Sequence, residues 1–171
     1  MASIEKFLGR RVEIPEDRRY AIKQGLWGKA TGNAITFGMT QPALVLSGGV
    51  KDMDWLVEAE TSVASNDALV FAITGKILYV DTPIPGRVEF NPSVKENPSK
   101  ILDDPYGQWW LFRIHPEGNI NKWYHELSSW QAYLESLRGS EGFKNPEGKK
   151  GGVSGICKAV YTGIGEQKFS T

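Results

Sequence analysis

Cysteine and histidine are nearly missing from this 171-residue chain, which holds one of the first and two of the second. Cys157 alone cannot form an internal disulfide and has no C-x-x-C partner, which excludes a thiolate zinc site or a dithiol redox motif within one chain. As a nucleophile it would need an activating base, and His115 and His125 lie far off in a differently patterned region, so the thiol reads as idle. Two histidines ten residues apart do not make a metal site, and each reads as a surface or capping residue. Net charge is also lacking: 20 Lys and Arg face 20 Asp and Glu, so no global field draws the chain to nucleic acid or an anionic membrane. The local basic cluster, Lys144, Lys149 and Lys150, has no aromatic stacking partners and reads as a solvated tail. No apolar run approaches the roughly 20 residues that span a bilayer. The opening MASIEKFLGRR has no signal-peptide core, so a cytoplasmic protein without membrane or nucleic-acid partners is expected. Paired carboxylates at recognisable spacing and Ser/His/Asp or Cys/His constellations are missing too, which argues against a stand-alone enzyme.

What is present is a succession of short β-like runs. Residues 1–14 open with an amphipathic piece, Ile4 to Leu8, and read as an N-terminal arm or short helix before Pro15. Then come YAI, LWGKA and NAITFGM, separated by Gly25, Gly28 and Gly32. Ile35, Phe37 and Met39 alternate with Thr36, Gly38 and Thr40, predicting a strand with one buried face. Thr40 and Pro42 fit the start of a short helix ended by Gly48 and Gly49. The segment Leu69 to Gly86, LVFAITGKILYVDTPIPG, is the hairpin around which the chain is organised: two β-branched and aromatic runs flank Thr74, Gly75 and Lys76. Gly75 supplies a residue free to take positive φ, and Lys76 projects from the tip. On these residues alone an ordinary surface hairpin with a solubilising lysine is the plainer reading.

Downstream, Arg87 to Phe90 is another short strand, Asn91 to Leu102 a loop, DDPYG a turn and WWLFRI a buried strand. Ile120, Trp123, Tyr124, Leu127, Trp130, Leu134 and Leu137 recur at three- and four-residue steps, predicting one amphipathic helix over 120–137. Residues 139–171, rich in Gly and Lys, read as a flexible C-terminal extension. Many short strands with one late helix predict a mostly β fold with flanking helices, a sandwich or flattened barrel.

The stretch Phe90 to Trp110, FNPSVKENPSKILDDPYGQWW, resembles the H-protein family of the glycine cleavage system. Asn91, Val94, Asn97, Pro98, Asp104, Pro105, Tyr106, Gly107 and Trp110 fall in register with the family pattern V-N-x-x-L-x-x-N-P-x-x-(L/V/I)-N-x-D-P-Y-G-x-G-W. Thr82-Pro83-Ile84-Pro85-Gly86-Arg87-Val88 is similar to its S-P-V-S-G-x-V turn, and Gly38-Met39-Thr40 to its G-I-T. The resemblance covers about residues 12 to 138 and implies a domain over 15–138 of the biotinyl/lipoyl-carrier, or barrel-sandwich hybrid, type. It also implies a covalent cofactor, lipoate, amide-linked to a hairpin lysine by a lipoate ligase or lipoyl transferase. The arm so formed shuttles an intermediate between enzymes, at high effective concentration near each docked site. In glycine cleavage the intermediate is an aminomethyl group. The partners there are a pyridoxal-phosphate glycine decarboxylase, an aminomethyltransferase and dihydrolipoamide dehydrogenase. A sulfur intermediate in a related pathway is the other carrier role.

Two alignments of the hairpin are open. Matching Val63 and Asp67 to the family's V-K-A-G-D turn puts Lys76 on the modified lysine and Thr74 on the serine of E-S-V-K, with Ile73 in place of the acid and Ile77 in place of alanine. Counting back from Pro83 puts Gly75, which cannot be modified, at that position. The first makes Lys76 the attachment site, with Thr74, Gly75, Pro83 and Gly86 as hairpin and turn support. The second leaves an interaction or regulatory module that has lost the modified lysine.

Overall fold

The computed structural model describes residues 1–149, all outside which, including Cys157 and most of the C-terminal extension, lie outside the described residues. Eleven strands form three antiparallel sheets. The first is a two-stranded ribbon of β1 (Ala2–Phe7) and β2 (Arg10–Ile14). The expected arm or short helix is therefore a hairpin. Leu8 and Gly9 make its tight turn with φ of 51° and 83°, a pair of positive values that matches the twist of the strands they join. The strands that follow are β3 (Arg19–Ala21), β4 (Leu26–Thr31), β5 (Ala34–Met39), β6 (Asp52–Trp55), β7 (Ser62–Val63), β8 (Ala68–Ile73), β9 (Ile77–Asp81), β10 (Gly86–Phe90) and β11 (Phe112–His115). A six-stranded sheet runs β3-β4-β5-β11-β10-β7 and a three-stranded one β6-β8-β9.

The two larger sheets share one core, in which Leu26, Ile35, Phe37, Phe112, Ile114 and Val88 meet Val70, Ala72, Val80 and Met53. The fold is thus mostly β with facing sheets, and no sheet closes into a hydrogen-bonded barrel. A second cluster, Phe7, Val12, Ile14, Tyr20, Trp27, Tyr133 and Leu137, lies under the ribbon. Because β5 separates these clusters it is buried on both faces, not on one as alternation predicted. On its second face Gly38 lies under the Trp27 indole, which leaves no room for a side chain: a Cβ there would sit 2.7 Å from three ring atoms.

Helix α1 (Gln41–Ser47) begins where expected, with the Thr40 hydroxyl accepting from the Ala43 amide at 3.1 Å and Gly48 closing it in the left-handed region. The expected loop after Phe90 contains α2 (Pro92–Glu96), capped by Asn91, and a 3₁₀ turn over Pro98–Asp103. The single late helix is two, α3 (Ile120–Glu126) and α4 (Trp130–Ser136). Between them Ser128 leaves the helix to exchange two backbone hydrogen bonds with Tyr20 on β3, at 2.8 and 2.7 Å, and Ser129 then caps the new helix through the Ala132 amide. Beyond it, residues to 149 are packed: a 3₁₀ turn Leu137–Gly139 leads to α5 (Glu141–Lys144), whose Phe143 meets Phe7 edge-on at 6.2 Å. Among the described residues, no helix is long and apolar enough to cross a membrane.

Candidate functional site

Strands β8 and β9 pair from Ala68↔Asp81 to Ile73↔Ile77, and the three residues Thr74, Gly75 and Lys76 turn the chain at the end of that ladder. The turn is built by one side chain. Thr74 is 3% exposed; its amide donates to the Lys76 carbonyl at 2.8 Å, its hydroxyl donates to the same oxygen at 3.1 Å and accepts from the Lys76 amide at 3.3 Å. Both backbone polar groups of Lys76 are thereby held while its side chain stands in solvent. Gly75 does not take the expected positive φ, and a Cβ on it would meet nothing within 4 Å. Its place in the loop is open rather than strained.

Lys76 borders a groove of about 400 Å³, whose other walls include Ile22, Met39, Leu46, Leu78 and Tyr133. These come from the β3–β4 turn, β5, α1, β9 and α4, so five separate elements converge beside the hairpin tip. None of them carries a sequence signal on its own. Outside the groove Ile73, Ile77 and Tyr79 are 38%, 57% and 57% exposed. The unbroken apolar run Ile77-Leu78-Tyr79 was a readable sign of this, since a strand that is apolar on both faces must leave one uncovered in a three-stranded sheet.

Pro83 and Gly86 sit at the other end of β9, so Thr74, Gly75 and Lys76 come together and these two do not join them. Thr82 there repeats the chemistry of Thr74: its hydroxyl donates to the Ile84 carbonyl at 2.6 Å and accepts from the Ile84 amide at 3.4 Å. Gly86 has φ of 147°, and a Cβ there would lie 2.6 Å from the His115 carbonyl oxygen. It lines a separate cleft of about 570 Å³ with Ser62, Arg87, His115, Glu117 and Trp123. Two of its side chains are already partnered, Arg87 by Glu60, and His115 through Nε2 by Glu89 Oε1 at 3.0 Å. The His115 hydrogen bond, helped by the nearby Arg113 guanidinium, holds the Glu89 carboxyl below the usual carboxylate range. His125 donates through Nδ1 to the Asn121 carbonyl, 2.8 Å away, as a helix-end residue.

The segment Asn91 to Trp110 builds the frame. Asn91 donates through Nδ2 to the carbonyls of Gln108 and Trp110 and accepts at Oδ1 from Ser93. The Pro105 carbonyl receives the Trp27 indole N–H at 2.9 Å. Tyr106 donates to the Glu13 carbonyl at 2.5 Å and accepts from the Gln41 amide at 2.8 Å, tying the ribbon to α1. Burial pushes the hydroxyls of Tyr106, Tyr133 and Tyr20 far up, so each stays a neutral donor across the physiological range.

The sequence model described as glycine cleavage H-protein matches residues 18–139. The chain is 32% identical over 115 residues to glycine cleavage system H protein 5 of Aquifex aeolicus, covering 61% of this chain and 74% of the relative. It is 27% identical over 134 residues to the H protein of Bacteroides fragilis, covering 78% and 96%. The crystal structure of a glycine cleavage system H protein from Mycobacterium marinum superposes with a TM-score of 0.60 at 24% identity, over 72% of this chain and 98% of that one, a likeness of fold.

Proposed function

This chain belongs to the glycine cleavage H-protein family, and from that premise we propose that it is a lipoyl carrier with Lys76 as its attachment site. The observation that carries the assignment is the threonine-clamped three-residue loop, which fixes the backbone of Lys76 and leaves its amine free at the end of a rigid ladder. Among the described residues no carboxylate forms an ion pair with it. The donor set suits the group: an exposed primary amine can take an acyl chain, and the open surroundings of Gly75 leave it room. When bound, lipoate supplies a dithiolane whose disulfide opens to carry a substrate fragment and recloses on oxidation.

The chain's own residues supply position. Thr74 orients the attachment point, and the groove walls Ile22, Met39, Leu46 and Leu78 offer an apolar surface beside it on which a flexible aliphatic arm can lie out of water. Amide formation also removes the lysine charge, which lowers the cost of entering such a groove or a partner's cleft. Chemistry then belongs to the cofactor and to the partner enzymes, and this chain is a cytoplasmic, non-catalytic component. The partners we assign are the attaching ligase or transferase and the decarboxylase, aminomethyltransferase and dihydrolipoamide dehydrogenase of glycine cleavage.

Intact-mass measurement of the protein purified from its native host tests the assignment. A gain of about 188 Da, as expected for an amide-linked lipoyl group, should map to the peptide spanning Lys76 and vanish in Lys76→Ala, with folding unchanged. An unmodified mass under conditions where another H-protein is lipoylated would leave an interaction module in place of a carrier.

A further inference from the structure

The exposed apolar side chains of this protein are not scattered. Among the described residues the large ones more than a third exposed are Met1, Leu46, Leu56, Ile73, Ile77 and Tyr79, and the last three share one sheet face. Their register orders them in two cross-strand rows, Asp52–Ile73–Ile77 and Asp54–Phe71–Tyr79, with Phe71 and Tyr79 edge-on at 5.7 Å. The alternate positions, Met53, Val70, Ala72 and Val80, point into the core. The face therefore has an apolar centre of four side chains and an acidic border on β6, with Asp81 at the far end of β9 and Lys76 at the tip.

We propose that this face is the docking surface for the enzyme that acylates Lys76, and that the enzyme presents an apolar recess bordered by Lys or Arg. The inference rests on the carrier reading above. An enzyme forming an amide at this amine must bring the acyl carbon to within bonding distance of Nζ, where the nitrogen displaces the adenylate of an acyl adenylate or the thiol of an acyl thioester and releases a proton. A catalytic centre enclosing the end of one lysine at the tip of a short loop necessarily covers the strand ends that carry it, and those ends are Ile73 and Ile77. Enzymes that meet the protein only through its arm are free of that constraint. A second copy of this chain is the competing occupant, and the test below separates the two. Asp54 is shared with Lys95 at 2.7 Å, which leaves Asp52 and Asp81 as the stronger poles for a basic border.

The test is a rate. The full-length unmodified protein is incubated with an extract of the source cells supplied with ATP, lipoate and a thioester donor of the acyl group, and the initial rate of mass gain at Lys76 is followed against protein concentration. The double substitution Ile73→Ser/Ile77→Ser is expected to raise the apparent KM at least about tenfold, as for residues at the centre of an interface, with the limiting rate and the melting temperature unchanged. Tyr79→Ser, remote from the loop itself, is expected to act in the same direction and serves where the double variant folds poorly. Asp52→Asn/Asp81→Asn is expected to raise KM less and to flatten its rise with salt. Wild-type KM in the isoleucine and Tyr79 variants, with wild-type protein fully modified, would overturn the docking surface and leave the carrier reading standing. A concentration-dependent dimer abolished by the same substitutions would give the face to a second copy. Wild-type protein that stays unmodified would remove the carrier reading and this inference with it.

Discussion

Two tryptophan- and tyrosine-rich or threonine-built regions of this molecule solve opposite problems. Around Trp27 and Tyr106 the polar atoms of both rings are taken up: the indole donates to Pro105, the phenol bridges Glu13 and Gln41, and the Arg18 guanidinium lies over both rings at 4.7 and 5.6 Å while donating to the Tyr106 carbonyl. At the tip of the β8–β9 hairpin the backbone of Lys76 is also satisfied, by Thr74, yet Gly75 and the side chains of Lys76 and Ile77 meet water. The first region has no tolerance for added volume and the second has ample room. The segment that identifies the family is thus mostly frame, and the position that would do the work is an exposed one.

One substitution made in both places gives the sharpest contrast. Gly38→Ala puts a methyl group 2.7 Å from an indole that its hydrogen bond to Pro105 and the Arg18 stack prevent from moving, and is expected to cost about 1–3 kcal/mol in urea unfolding. An unchanged unfolding midpoint would mean the ring is not pinned. A smaller effect comes from the rim of the same region, where Asp17 pairs with Arg18 at 2.9 Å and Lys29 at 3.1 Å. The Arg18 hydrogen bond leads in holding the Asp17 carboxyl down at about 2, against an ordinary value of 3.8. A carboxyl depressed in the folded state adds stability above its unfolded value and loses it as pH falls through the folded one. Asp17→Asn should therefore lower stability at neutral pH by less than about 1 kcal/mol, since the carboxylate is 58% exposed. The gap to wild type should close between pH 4 and 2, and a pH-independent difference would refute the ion-pair account. Least of all is expected from Gly75→Ala: with open space around it and no positive φ, stability should stay within about 0.5 kcal/mol. Lys76 should be modified as in wild type. A loss of either would show that the loop needs glycine after all.

How far the sequence could be read follows the same division. The hairpin, the capped helix α1 and the strands β4 and β5 were legible because each carries a local signal: alternation, a Thr-x-Pro start, a glycine at the stop. The ribbon β1–β2 was not, because its turn uses a leucine at φ of 51°, a conformation that residue seldom adopts. The break between α3 and α4 was hidden by an apolar period that runs straight through Leu127, and only the distant strand β3 explains why Ser128 leaves the helix. At the candidate site the lysine was visible but its groove was not, since Ile22, Met39, Leu46 and Tyr133 are far apart in sequence and converge only in the fold.

The packing of Phe7 has a consequence for how the protein is made. Its ring is fully covered, and part of the cover is Gly142, where a Cβ would fall 2.2 Å from the ring, together with Phe143. Nearby, the Gly9 amide donates to the Pro146 carbonyl at 2.8 Å and Lys6 pairs with Glu147. Phe7 is therefore covered by residues synthesised more than a hundred positions after it, so during translation the ribbon waits with an aromatic face uncovered. Until Gly142 and Phe143 have left the ribosome Phe7 is available to chaperones, and the emergence of that segment is what withdraws the handle.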